Sequence, residues 1–178
     1  MDGTRHGILP RRARLTSGHE IDIRTVQRAD AGLIRDGFAH LSDRSRFLRF
    51  LGARSALSDA ELDRLTDPGD DSITLGAVTR ADSTPVGLAR LIRLNPADRD
   101  AEIALTVVDA FQGQGAGRLL FETLAQVADA QGLTGLVALV HRSNRAMLGL
   151  LSRYGGVAEP GLEADVEIRL PVASVLTT

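Results

Sequence analysis

The sequence predicts a single α/β (α+β) domain: a central mixed, mostly antiparallel sheet flanked by helices. Three observations predict it. Apolar residues follow period two near residues 21–26, 73–79, 86–94, 101–108 and 163–170, which is strand patterning. They follow helical spacing near residues 33–41, 58–67, 120–128 and 147–151. The chain has 178 residues, 43% hydrophobic and 25% charged, enough to bury one ordinary core.

Residues 1–18 are polar and Arg-rich with no period, and read as a flexible tail ahead of a domain over 19–178. Ile21, Ile23 and Thr25 alternate with Asp22, Arg24 and Val26 in a first strand over 20–27. Asp30 is placed to cap a helix carrying Leu33, Ile34, Phe38 and Leu41. Residues 42–51 suggest a second, short helix, and Ser58 with Glu61 forms a capping box for a third that ends before Pro68. Strands over 73–79 and 86–94 are joined by a turn at 82–85, and a turn at 95–98 leads to a strand over 101–108. After a glycine-rich loop, Leu120, Phe121, Leu124, Val127 and Ala128 make the apolar stripe of a helix that stops near Gly132. Residues 136–140 are continuously apolar and predict a central strand buried on both faces. Ser143 is placed to cap a last helix through Met147, Leu148 and Leu151, ended by Gly155 and Gly156, before a closing strand over 163–170. This order puts a parallel strand pair around the glycine loop.

Composition excludes several functions. A net charge of −2 gives no bulk attraction to nucleic acid or an anionic membrane. No apolar run approaches the ~20 residues of a spanning helix. No apolar segment follows the N-terminal charges, so the expectation is no secretory signal, no membrane partner and a cytoplasmic location. The absence of Cys removes disulfides, thiolate nucleophiles and Cys-based zinc sites, and no metal is expected. All 21 basic residues are Arg. A Gly-Lys-Ser/Thr phosphate loop and Schiff-base lysine chemistry are therefore excluded.

The most informative stretch is Gln112-Gly113-Gln114-Gly115-Ala116-Gly117-Arg118, between a strand and a helix. Its glycines leave backbone N–H groups unshielded where the positive end of a helix dipole begins, which suits a phosphate. A tight strand-to-helix turn without a ligand is the alternative. The dinucleotide fingerprint fails, because its third glycine position is Arg118.

The loop resembles the Q/R-x-x-G-x-G/A signature of the GNAT superfamily of acyl-CoA-dependent N-acyltransferases. Asn144 opening the last helix, followed by Met147, Leu150 and Gly155, agrees with that family. Segments 41–50, 57–62, 87–90 and 101–104 are most similar to the catalytic domain of bacterial protein-lysine acetyltransferases. The resemblance implies a GNAT-like domain whose parallel pair splays at the acyl-CoA site, acetyl-CoA as cosubstrate, and homodimerisation as a common state. Residues 1–18 are too few for the regulatory domain that accompanies some such enzymes. The acceptor implied is a primary amine, with a protein lysine ahead of a small amine. A non-catalytic acyl-CoA-binding regulatory module is the other reading.

By the same resemblance, the amides of Gly113, Gln114, Gly115, Ala116, Gly117 and Arg118 hold the CoA diphosphate, and Gln112 shapes the loop. Arg118 either adds charge there or is a solvated helix position. Leu105 and Val107 offer backbone groups to the peptide-like pantetheine arm. Asn144 either contacts CoA or simply caps its helix. An alkylammonium, with a pKa of about 10.4, must lose a proton before it attacks a thioester. Glu102 is the candidate base. Alternation puts it on one strand face with Ala104 and Thr106, and a carboxylate in an apolar strand is costly unless it works or is paired. It precedes Gln112 by ten residues, where the resembling lysine acetyltransferases carry their base. The alternative is an ion pair with Arg90 or Arg93. His141 is a second candidate base or a plain strand-end residue. The tyrosine that many members place seven residues after the Asn is Leu151 here, and Tyr154 lies near that position without being equivalent. The Arg46-Phe47-Leu48-Arg49-Phe50 segment either lines the acceptor side or is a core-facing helix with solvated arginines.

Overall fold

The computed structural model describes residues 8–67, 69–93, 95, 97–159 and 164–177. Among them, eight strands form one sheet. In chain order these are β1 (Arg11–Arg14), β2 (Glu20–Thr25), β3 (Ser72–Thr79), β4 (Pro85–Ile92), β5 (Asp100–Val107), β6 (Gly135–His141), β7 (Val157–Ala158) and β8 (Asp165–Pro171). The spatial order is β1-β2-β3-β4-β5-β6-β8-β7. Only β5 and β6 run parallel; every other neighbouring pair is antiparallel. The predicted α/β domain, with its parallel pair at the glycine loop, is the architecture observed.

Helices cover both faces. On one lies α4 (Ala116–Ala130), which buries Leu120, Phe121 and Leu124 completely against the sheet. Each such side chain contributes about 1.5–3 kcal/mol through removal from water. On the other lie α1 (Ala31–Ala39), α2 (Asp43–Phe50) and α3 (Asp59–Thr66), where Val26, Ile34 and Leu62 form a smaller apolar cluster that packs against Leu88. Strand alternation divides β4 between the two: Ala89 and Leu91 join the main core, while Leu88 faces the smaller cluster. Gly87 lets β4 and β5 approach closely at their shared end. A Cβ there would sit 2.6 Å from the Thr106 carbonyl oxygen and 3.0 Å from Leu120 Cδ1. After β6 come α5 (Arg145–Arg153) and, beyond β8, the short α6 (Val172–Leu176). Among the described residues no helix is long and apolar enough to cross a membrane.

Several sequence expectations are corrected. The sheet starts before residue 19: Arg11–Arg14 pairs with Glu20–Ile23, and Leu15 is buried, so the tail reading fails for this stretch. The four-residue strand RRAR has no apolar alternation because it is an edge held by backbone bonds and by ion pairs such as Arg14–Glu20. Residues 1–7, like Pro68 and Glu163, lie outside the described residues. Strand β6 is not buried on both faces. Leu136, Ala138 and Val140 are buried, but Leu139 is 53% exposed because the helices of the second face do not reach it. Helix α5 is capped by Asn144, whose Oδ1 accepts from Met147 N at 3.1 Å, while Ser143 Oγ turns to His141 Nδ1 at 2.7 Å.

Asp30 precedes α1 but its carboxylate does not cap it. Instead it accepts both Arg24 guanidinium nitrogens at 2.7 Å and Gln27 N at 2.8 Å, which ties the end of β2 to the start of α1. The Arg24 hydrogen bonds hold the Asp30 carboxyl below its usual range, although burial opposes them. A depressed carboxyl stabilises the fold above its unfolded pKa and loses that contribution as pH falls through the folded value. Asp30→Asn is therefore expected to cost about 2 kcal/mol near neutral pH. In denaturant titrations the gap from the unmodified protein should close as pH drops below about 4; a gap independent of pH would contradict this.

Candidate active site

Strands β5 and β6 pair only at Asp100–Gly135, Ala101–Leu136 and Glu102–Val137. Beyond that point β5 stays with β4 as far as Val107–Gly87, and β6 stays with β8 as far as His141–Asp165. The strands diverge, so one edge of β5 from Ile103 to Val107 has no strand neighbour. A free edge presents unpaired N–H and C=O groups. Leu105, Thr106 and Val107 line a groove of about 550 Å³ at this split.

The glycine loop closes the wide end of the groove. Gly113 and Gly115 have φ of +71° and +89°, and a Cβ at either would meet nothing within 4 Å. Backbone conformation, not crowding, selects glycine there. The N–H of Leu119 bonds Gly115 O at 3.0 Å. The amides from Gly113 to Arg118 find no acceptor among the described residues, as the first turn of a helix leaves them. Side chains fasten the loop. Gln112 Nε2 donates to Val107 O at 3.0 Å and Ser45 Oγ at 3.1 Å, and Asp109 Oδ1 accepts from Ser42 N at 3.1 Å.

Of the residues singled out in sequence, Leu105, Val107, Gln112, Gly113, Gly115, Gly117, Arg118 and Asn144 line this one groove. Two others do not. Gln114 Nε2 donates to Ala110 O at 2.7 Å, and the Gln114 backbone carbonyl accepts from Thr16 N at 3.1 Å, so it ties the loop to the β1–β2 turn. Ala116 is buried in the main core. Asn144 both caps α5 and faces the groove. Arg118 is exposed, with Glu122 at 3.7 Å. Sequence reasoning missed Arg44, Arg145 and Arg153. With Arg49 and Arg118 they set five guanidinium groups around the groove against one carboxylate, Asp109. Such a rim suits a ligand with several phosphates. No local signal marks these three as special, because α2 and α5 meet only in the fold.

A second cavity of about 250 Å³ lies between the sheet and helices α1 to α3, with Ile34, Phe38, Leu88 and Ala104 in its wall. Arg49 and Thr106 line both cavities, so the two spaces meet there. The Arg46–Phe50 segment thus supplies residues to the junction. Burial of its guanidinium pushes Arg49 down to about 10, the neighbouring Arg90 charge acts the same way, and Glu102 opposes both. The residue keeps partial contact with solvent and remains cationic at neutral pH.

Glu102 belongs to the last paired position before the strands part. It shares a strand face with Ala104 and Thr106 and is half-buried, but it lines neither cavity; Ala104, the nearest wall residue on its face, is about 7 Å along the strand. Among the described residues it makes no hydrogen bond or ion pair. The alternative ion pairs are not formed: Arg90 donates to Arg64 O at 3.1 Å, and Arg93 to Gln131 O at 3.3 Å. His141 Nδ1 accepts from Ser143 N at 3.1 Å, and its ring contacts Phe47 outside both cavities. Tyr154 is buried, stacks near Phe121, and donates its hydroxyl to Glu122 at 2.8 Å. Burial, then Glu122, pushes its phenol upward, which suits a structural role.

The profile of the Acetyltransferase (GNAT) family matches residues 41–155. An acetyltransferase of Pseudomonas aeruginosa is 30% identical over 148 residues, covering 82% of this chain and 79% of that protein. The crystal structure of the GNAT domain of S. lividans PAT superposes with a TM-score of 0.83 at 26% identity, over 90% of this chain and 96% of that one. A spermidine N-acetyltransferase from Vibrio cholerae, in complex with CoA and spermine, shares the fold with a TM-score of 0.71 at 19% identity, over 88% of this chain and 98% of that one. The groove at a strand split, the loop that closes it and these similarities lead to one conclusion: the chain belongs to the GNAT family of acetyltransferases.

Proposed function

We propose that this protein moves an acetyl group from acetyl-CoA to a primary amine, with a protein lysine as acceptor and Glu102 as general base. The observation that carries the reading is the junction at Arg49 and Thr106, where an arginine-rimmed groove meets an apolar cavity. A thioester lying along the β5 edge would present its carbonyl carbon at that junction to an amine arriving from the other side. The CoA diphosphate would take the amides of Gly113 to Arg118, where no acceptor among the described residues competes for them. The pantetheine amides would pair with the β5 edge near Leu105 and Val107 as an added strand. The resemblance of segments 41–50, 57–62, 87–90 and 101–104 to bacterial protein-lysine acetyltransferases supports the lysine acceptor.

In the reaction the amine lone pair forms the new N–C bond, the C–S bond breaks, and CoA leaves as its thiolate. The nitrogen proton passes to Glu102 along a chain of several waters, since strand spacing puts it about 13 Å along β5 from Thr106. The thiolate takes a proton from solvent. Tyr154 does not supply that proton, because it is buried away from the groove, and the usual tyrosine position is the apolar, buried Leu151.

Glu102→Gln is expected to lower turnover about 100-fold or more, the scale of a lost general base. CoA affinity by calorimetry should stay the same. Unchanged turnover would falsify the base assignment, and CoA binding with no transfer to any amine would favour the binding-module reading. Because the chain has no lysine, incubation with acetyl-CoA alone should leave at most one added acetyl group, at the N-terminal amine. Intact-mass spectrometry checks this, and a second adduct would contradict it.

A further inference from the structure

The apolar cavity beside Arg49 has more cationic than anionic side chains in its wall. Arg24, Arg49, Arg64 and Arg90 line it, against Asp30 and Glu61. Both acids are already engaged. Asp30 holds Arg24 through two 2.7 Å bonds, and Glu61 accepts from Ser58 N at 2.8 Å and pairs with Arg54. Arg49, Arg64 and Arg90 have no carboxylate within ion-pair distance among the described residues, and Glu102 acts on Arg49 and Arg90 only from beyond that distance. Arg90 spends one nitrogen on the Arg64 carbonyl, and its Nε is buried without any partner. Arg49 makes no hydrogen bond among the described residues; its guanidinium stacks over the Phe50 ring at 5.0 Å. Idle donors on half-buried guanidinium groups such as those of Arg49 and Arg90 are costly, and an anion that accepts from them lowers that cost.

We infer that the acceptor of the acetyl group is a primary amine whose own molecule carries a carboxylate or similar anion, held by Arg90 and Arg49 in this cavity. The inference rests on the transferase reading above and names the acceptor class for it. Geometry sets the spacing. Arg90 faces Ala104 across β4 and β5, and Ala104 stands two residues from Thr106, where the two cavities meet. Anion and reacting nitrogen are thus about one strand repeat apart, about 7 Å. The same charges help the chemistry, because a nearby guanidinium disfavours the ammonium form of the acceptor. A free amino acid and a lysine flanked by an acidic residue share this chemistry.

The test measures acetyl-CoA-dependent CoA release with acceptors that differ by one carboxylate: 6-aminohexanoate against hexylamine, and lysine against cadaverine. Spermidine and lysine peptides with Glu or Arg neighbours complete the set. The carboxylate member of each pair should be preferred by at least about tenfold in kcat/KM, the scale of one charged hydrogen-bonded pair. Stronger turnover of the small carboxylates identifies a free small molecule, and stronger turnover of the Glu-flanked peptide identifies a protein acceptor. Arg90→Gln should move the preference toward unity mainly through KM, and Arg90→Lys should restore part of it. Arg64→Gln, at an exposed position, should reduce it by a smaller factor. Equal or faster use of hexylamine, cadaverine or spermidine would overturn the inference. A thermal shift with hexanoate, which has no amine, reads the anion seat without turnover. A rise in Tm that Arg90→Gln abolishes supports the seat even if no acceptor is acetylated, in which case the transfer reading is what fails. No rise with the unmodified protein overturns the seat.

Discussion

The structure depends on one interruption: β5 stops pairing with β6 after Glu102–Val137. Buried backbone N–H and C=O groups nearly always find partners, so a sheet that splits in its interior must be compensated. Here the compensation is spatial. The split opens into a groove, and water or a peptide-like ligand can meet the free edge of β5. The divergence is held from several sides. Gly87 brings β4 against the Thr106 backbone, Gln112 bonds the carbonyl of Val107, and Asp109 receives the first amide ahead of α2. None of these contacts touches β6, so that strand is free to follow β8 away from the site.

Charge is arranged in layers around this opening. The outer groove has arginines on three helices, α2, α4 and α5, which converge only in the folded chain. The inner cavity has arginines on β2, β4, α2 and α3 set among apolar side chains. With no lysine in the chain, every one of these cations is a planar guanidinium that stays charged and can grip an oxyanion with two parallel donors. Arg49 belongs to both layers. The whole molecule nevertheless has a net charge of −2, so the positive regions are local and the acids lie elsewhere. Many are spent on the frame, as with Asp30 on Arg24 and Glu122, which receives Arg11, Arg118 and the Tyr154 hydroxyl.

That frame explains why Tyr154 and His141 have structural partners in place of chemical ones. The Tyr154 hydroxyl links α5 to α4 beneath the groove, and its ring fills space beside Phe121. His141 ends β6 and organises the turn into α5 through Ser143. Both are polar residues near the site, and each is held by local geometry.

By itself the sequence determined the features that depend on neighbours in the chain. Period-two and helical spacing located most strands and helices, the capping box at Ser58 and Glu61 formed as expected, and the glycine loop took the positive φ values its residues allow. The motif from Gln112 to Arg118 and the alternation of Glu102, Ala104 and Thr106 were legible for the same reason. Tertiary structure alone decided what depends on distant partners. An edge strand such as Arg11–Arg14 has no pattern of its own and exists because β2 offers it a ladder. Whether Leu139 is covered depends on where other helices end. Asp30 chose Arg24 over its own helix because a bidentate ion pair lay within reach. The junction at Arg49 and Thr106, and the arginines behind it, arise only when α1 to α3 fold over the sheet. Local periodicity encodes the elements, but the electrostatics of a cavity belong to the side chains that the fold brings together.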